Sequence, residues 1–225
     1  MESLQTLLDR NVAWSQRKVA GDPQFFRRLV EQQAPEYLWI GCSDARVPAN
    51  EIVDLQPGEL FVHRNVANVV ALDDENAQAV VEFAVSVLKI RHIMVVGHYR
   101  CGGVHAACHG DHVGPCVDRW LEHVRAVGKR HDALLRREPD ERRREALLCE
   151  LNVLEQTYNA CRAPAVQAAW QRGQPLMVHG WIYRLGDGRL RHLDFSVGAN
   201  ADLETFREQA LQSILQARAA YYRNR

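Results

Sequence analysis

The chain has 225 residues, 28 Lys plus Arg against 28 Asp plus Glu, and 47% hydrophobic residues, the proportions of one globular domain spanning 1–225. Zero formal charge argues against a nucleic-acid binder, which needs Lys and Arg gathered in surplus, and no apolar run reaches the roughly 18 residues that span a bilayer, so no membrane insertion is expected. Six cysteines are too few for a secreted disulfide scaffold and the N-terminus lacks a signal-peptide core, so a cytoplasmic location is expected, with the thiols open to packing, redox or metal roles.

Leu4, Leu7, Leu8 and Val12 recur at helical spacing, with Trp14 close to the same face. This predicts an amphipathic helix in an N-terminal helical arm of about 1–34, which needs a surface to lie on, such as a partner subunit. Asp22-Pro23 starts a second helix that ends before Pro35. Tyr37 to Ile40 reads as a buried strand stopped by Gly41, and Leu60 to His63 as a second after the Pro57-Gly58 turn. A helix over Ala77 to Leu88 precedes a third strand, Ile93 to Val96, stopped by Gly97. From about Val117 to Arg172 the pattern is helical, with breaks near Glu138-Pro139 and Pro164. Leu176 to Tyr183 is a fourth strand, Gly186-Asp187-Gly188 a hairpin signal, Leu190 to Phe195 an edge strand, and Leu203 to Tyr222 a closing helix. The prediction is an α/β fold: a central, mostly parallel sheet covered by helices, with the N-terminal amphipathic helix at one end and an edge hairpin and helix at the other.

Two of these strands end alike. Gly41 leads into Cys42-Ser43-Asp44-Ala45-Arg46, and Gly97 into His98-Tyr99-Arg100-Cys101-Gly102-Gly103. The carboxyl ends of parallel strands form the crevice where ligands bind, so Cys42, Asp44, His98 and Cys101 are expected to meet on one rim. Two thiolates and an imidazole suit zinc, and a Cys2His set leaves a fourth position for chemistry. Redox chemistry is disfavoured because no Cys-x-x-Cys occurs. A closed structural zinc site is the stronger rival. Against it stands the fourth candidate, the carboxylate of Asp44, which has Arg46 two residues away and can therefore leave the metal.

Cys42-Ser43-Asp44-Ala45-Arg46-Val47-Pro48, the segment Gly58 to Asn68, and Gly97-His98-Tyr99-Arg100-Cys101-Gly102-Gly103 closely resemble the β-class carbonic anhydrases, and the likeness runs from Trp14 through Tyr183. Ala45 departs from the Ser common at that position. The resemblance implies a zinc enzyme with one Zn2+ per chain on Cys42, His98 and Cys101. Its activity would be reversible hydration of carbon dioxide to bicarbonate and a proton by attack of zinc-bound hydroxide. It further implies that Asp44 and Arg46 form a dyad: Asp44 paired with Arg46 leaves the fourth zinc position to water, and Asp44 on zinc closes it. Gln33, Val66, Phe83 and Gly102 are the implied substrate pocket at a dimer interface, so a homo-oligomer, dimer or tetramer, is expected. A bacterial-type subgroup has a non-catalytic bicarbonate pocket matched here by Trp39, Arg64 and Tyr183, all hydrogen-bond donors. The other thiols, Cys108, Cys116, Cys149 and Cys161, are assigned to packing. His105, His109 and His112 read as a polar face, one of which can relay protons. Two alternatives stay open: a hydrolase of a related heterocumulene such as carbon disulfide, and a zinc-stabilised structural or assembly protein.

Overall fold

Strands Tyr37–Cys42 (β1), Leu60–Asn65 (β2), His92–His98 (β3), Met177–Arg184 (β4) and Arg189–Val197 (β5) form one sheet in the order β2-β1-β3-β4-β5. The computed structural model describes residues 3–31, 33–199 and 201–223. β1 runs parallel to β2 and β3, β3 parallel to β4, and β5 returns antiparallel across a register shift at Gly180/Trp181. β1 and β3 are buried at every position after the first, as their uninterrupted apolar sequences require of central parallel strands.

The helices are Leu4–Gly21 (α1), Phe25–Glu31 (α2), Ala49–Ile52 (α3), Glu75–Glu82 (α4, running into a π turn over Phe83–Val87), Gly102–His109 (α5), Pro115–Arg130 (α6), Asp132–Leu135 (α7), Glu141–Arg162 (α8), Pro164–Gln171 (α9) and Leu203–Arg223 (α10). Their starts follow local chemistry. Asp74 and Asp140 accept hydrogen bonds from the first turns of α4 and α8, and α6 and α9 open on proline, whose missing N–H costs nothing there. The expected helical stretch divides at the predicted breaks and also at His131. The short α3 and α5 lay outside the sequence reading.

α8 positions the site. It packs across β3 and β4, burying Leu148, Leu151 and Leu154 together with Asn152, Gln156 and Thr157. Its polar groups are satisfied by the segment after β2: Asn152 donates to the Ala67 carbonyl at 2.8 Å, and the Val70 amide donates to Gln156 at 2.8 Å. That segment carries two consecutive left-handed residues, Ala67 (φ 66°) and Asn68 (φ 47°), a conformation that costs non-glycine residues energy unless the surroundings fix it.

The approach of α8 to β3 depends on Gly97, where a Cβ would lie 2.4 Å from Val153 Cγ2. Gly97→Ala is therefore expected to cost about 1–3 kcal/mol by overpacking. The melting temperature should fall by about 2–4 °C per kcal/mol, measured by calorimetry; an unchanged transition would contradict this packing.

The other face of the sheet has a smaller core, built from Trp39, Val47, Ala49, Leu60, Met94 and Val96. α1 buries none of its described side chains, and Leu4, Leu8 and Val12 stand 81, 61 and 54% exposed. Among the cysteines, Cys149 and Cys161 are core residues as expected. The packing assignment fails for Cys116, which is exposed, and Cys108 is half-buried, because α6 meets the core through Leu121, Val124 and Val127 while its first turn faces solvent.

Candidate metal centre

The strand order reverses around β1, with β2 on one side and β3 on the other, and this switch point opens a crevice at the carboxyl ends of β1 and β3. Cys42 ends β1, His98 ends β3, and Cys101 precedes the first turn of α5. The sequence thus converts two strand ends into one cluster. Cys42, His98 and Cys101 are 5, 1 and 1% exposed, and their donor atoms all lie within 4.8 Å of one another.

The geometry fits a tetrahedral dication. Two sulfurs each about 2.3 Å from zinc at a tetrahedral angle stand about 3.8 Å apart, and Cys42 Sγ and Cys101 Sγ are 3.8 Å apart. His98 Nδ1 lies 3.0 Å from the Tyr99 carbonyl, which assigns the proton to Nδ1 and the lone pair to Nε2. That Nε2 is buried with no hydrogen-bond partner among the described residues, as a metal-directed nitrogen would be. The thiols are coupled: the hydrogen bond from Cys101 lowers Cys42 to about 4, and the neighbouring thiolate pushes Cys101 up. A cation between two thiols this close would take the place of their protons.

Asp44 and Arg46 stand over this cluster. Arg46 donates from Nε to Asp44 Oδ1 at 2.9 Å and from Nη2 to Oδ2 at 2.6 Å, and its own amide donates to Oδ1 at 2.9 Å. These bonds hold the Asp44 carboxyl well below the usual carboxylate range. Asp44 Oδ2 is 3.7 Å from His98 Nε2, so the carboxylate faces the donor set without bonding to it. Arg46 also donates to the Arg100 carbonyl at 3.2 Å, and Arg64 donates to the Cys42 and Asp44 carbonyls, at 2.9 and 2.5 Å, tying the two ligand loops and β2 together.

The other expected site residues divide into those gathered here and those left apart. Arg64 pairs in register with Gly41, and Tyr183 with His98. Trp39 is fully buried, its indole folded over Gly41, where a Cβ would lie 2.2 Å from Nε1. That indole N–H has no partner among the described residues. Gly102 opens α5, and Val66 packs where a Cβ on Gly103 would lie 2.7 Å away. Phe83 stacks on Phe61 at 5.9 Å and is 44% exposed. Gln33 is exposed. Among the described residues, no hydrogen bond, ion pair or ring contact joins Gln33 or Phe83 to the Cys42–His98–Cys101 cluster.

Sequence reading missed the support behind His98. Tyr99 donates to Glu150 at 2.5 Å, and Glu150, 1% exposed, also accepts from Arg191 and, at 3.2 Å, from Arg218. A glutamate at a buried position of a Leu-rich helix was the available signal. His105 and His109 lie on α5 paired with Glu145 at 3.0 Å and Glu141 at 2.6 Å, the polar face expected of them.

The family described as carbonic anhydrase matches residues 37–190. A carbonic anhydrase of Emericella nidulans is 43% identical over 199 residues, covering 88% of this chain and 87% of the relative. The structure of a Coccomyxa β-carbonic anhydrase in complex with acetazolamide aligns with TM-score 0.84 at 38% identity, covering 91% of this chain and 96% of that one. A tetrameric β-carbonic anhydrase of Sordaria macrospora aligns with TM-score 0.82 at 38% identity, over 86% of this chain and 98% of that one.

Proposed function

Because the chain belongs to the β-class carbonic anhydrases, we propose that Cys42, His98 and Cys101 hold one zinc ion and that the site interconverts carbon dioxide and bicarbonate. The observation that carries the reading is the buried triad, with its 3.8 Å sulfur separation, lying beneath a carboxylate held on guanidinium. Zinc bound there supplies a water acidic enough to ionise near neutral pH. Two thiolates cancel the charge of the ion, so the centre stays neutral before the water ionises. Arg46 keeps Asp44 ionised and unbonded to the donor atoms it faces, so that an Asp44 oxygen would accept a hydrogen bond from the attacking water and orient its lone pair to carbon. Arg64 fixes the loop that carries both groups. Released from Arg46, Asp44 has a carboxylate oxygen near enough to the triad to become its fourth donor and stop the reaction.

Val66, Gly102, Gln33 and Phe83 are assigned to the carbon dioxide pocket. Their exposure in the single chain fits a pocket completed by a second copy, and the uncovered apolar positions of α1 supply a surface for that copy. The Sordaria macrospora relative is tetrameric, which supports a homo-oligomer. All six cysteines are free, which suits a reducing cytoplasm, and no helix among the described residues is long and apolar enough to cross a membrane.

Stopped-flow hydration of carbon dioxide tests the reading. Turnover should disappear when a chelator removes zinc and return when zinc is restored. Turnover by the metal-free protein, or faster turnover of carbon disulfide than of carbon dioxide, would defeat it.

Trp39, Arg64 and Tyr183 are assigned to a non-catalytic bicarbonate pocket. The unpartnered indole N–H of Trp39 supports this, since an unpaired buried donor costs about 1–3 kcal/mol that an oxyanion would recover. Bicarbonate is then expected to inhibit the wild type at mildly acidic pH and to inhibit Trp39→Phe about tenfold less, the equivalent of one hydrogen bond of about 1.4 kcal/mol. Equal inhibition of the two proteins by added bicarbonate would remove Trp39 from the site.

A further inference from the structure

A cavity of about 870 Å3 opens beside the metal cluster, between the Tyr99-Arg100 turn, the first turns of α8, the β4–β5 turn and the end of α10, and Arg46 forms part of its wall. Its lining includes Arg46, Arg100, Arg142, Arg184, Arg191 and Arg218, against the carboxylates of Glu145 and Glu150. In a chain with no net charge, this is a concentration of guanidinium in one place.

Carboxylates answer only part of it: Asp44 pairs with Arg46, and Glu138 stands 3.8 Å from Arg218. Glu150 is shared between Arg191 and Arg218, and Glu145 is engaged by His105 at 3.0 Å. Arg184 lies over the rings of Tyr99 and Tyr221, at 5.9 and 5.6 Å, with Asp187 at 3.8 Å. Among the described residues no carboxylate pairs with Arg100 or Arg142. Convergent guanidiniums bind carboxylate and phosphate groups through paired N–H donors, and a volume of this size matches a metabolite-sized ligand. Bicarbonate, with one charge and four heavy atoms, would leave most of the cavity to water.

We propose that this cavity binds a small organic polyanion carrying two or more carboxylate or phosphate groups, with its apolar part against Tyr99 and Tyr221. One anionic group reaches Arg46 and competes with Asp44 for it, so occupancy lowers turnover. This inhibitory half rests on the Asp44–Arg46 reading above; the binding half does not.

Calorimetric titration of the zinc-loaded protein at constant ionic strength tests it, using benzene-1,3,5-tricarboxylate and, separately, fructose 1,6-bisphosphate, which distinguish carboxylate from phosphate recognition. At least one probe should bind at one site per chain. Arg142→Glu should weaken that binding about tenfold or more, because it reverses a charge within a few ångströms of the ligand. Arg142 is exposed in the first turn of α8, where an acidic residue is well tolerated, so the variant should keep its turnover without probe. Binding of neither probe, or binding unchanged by Arg142→Glu, overturns the site. Turnover unaffected at saturating probe overturns the competition for Arg46. A failure of the dyad itself would be seen separately, as normal turnover in Arg46→Ala while Arg142→Glu still weakens binding.

Discussion

Replacing Cys42 by serine is expected to strip zinc from the enzyme and return carbon dioxide hydration to the buffer rate, a loss of about 10⁶-fold at the low end of enzymatic accelerations. The hydrogen bond from Cys101 favours the thiolate of Cys42, the form that binds zinc. A serine hydroxyl does not ionise in this way and is a poor partner for zinc. The position is 5% exposed and closely isosteric, so the fold should survive. Cys116→Ser is the control: that thiol is exposed on the first turn of α6, and zinc content and turnover should both match the parent. Metal analysis and stopped-flow assays on the two variants check the result. Full zinc occupancy in Cys42→Ser would remove Cys42 from the ligand set.

Arg46→Ala is expected to keep zinc at one per chain while turnover falls by about 10²–10⁴-fold, the range for losing a positioned acid–base group. Alanine removes both side-chain hydrogen bonds, at 2.9 and 2.6 Å, and leaves Asp44 with the single bond from the backbone amide of residue 46. On the proposed gating, a carboxylate so released, 3.7 Å from His98 Nε2, would turn toward the triad and take the position that water needs. Arg46→Lys should recover part of the loss, since a lysine can donate to one carboxylate oxygen but cannot match the two-pronged contact. Near-normal turnover in Arg46→Ala would leave the pair a static ion pair without a catalytic role.

The sheet and the meeting of Cys42, His98 and Cys101 were legible because the signals are local. Leu38 to Ile40 and Ile93 to Val96 are apolar runs, each stopped by a glycine, and the switch-point rule carries Cys42 and His98 to one rim from their strand positions alone. What stayed hidden depends on long-range packing. Nothing local announces that Ala67 and Asn68 are left-handed, because the cost is met by Asn152 and Gln156 more than 80 residues away. The burial of Glu150 depends on partners from β5 and α10. The arginine-lined cavity draws on five separate segments of the chain, so no spacing could have revealed it. Gln33 and Phe83 are a different case: Gln33 is exposed, and Phe83 meets Phe61 and is 44% exposed.

The uncovered face of α1 has a consequence for dynamics. An 18-residue helix with no buried side chain is held by a few surface contacts, Trp14 edge-on to Phe26 at 5.5 Å and Lys18 donating to Gln56 at 2.7 Å, and isolated helices of that length are marginal in water. In dilute solution the amide hydrogens of Leu4–Gly21 should therefore exchange with solvent by local fraying, whereas those of α8, buried along most of its length, exchange only when the whole domain opens. A second copy seated on this face, as proposed above, would slow the first rate and leave the second nearly alone. The order of this arm would then depend on protein concentration through mass action.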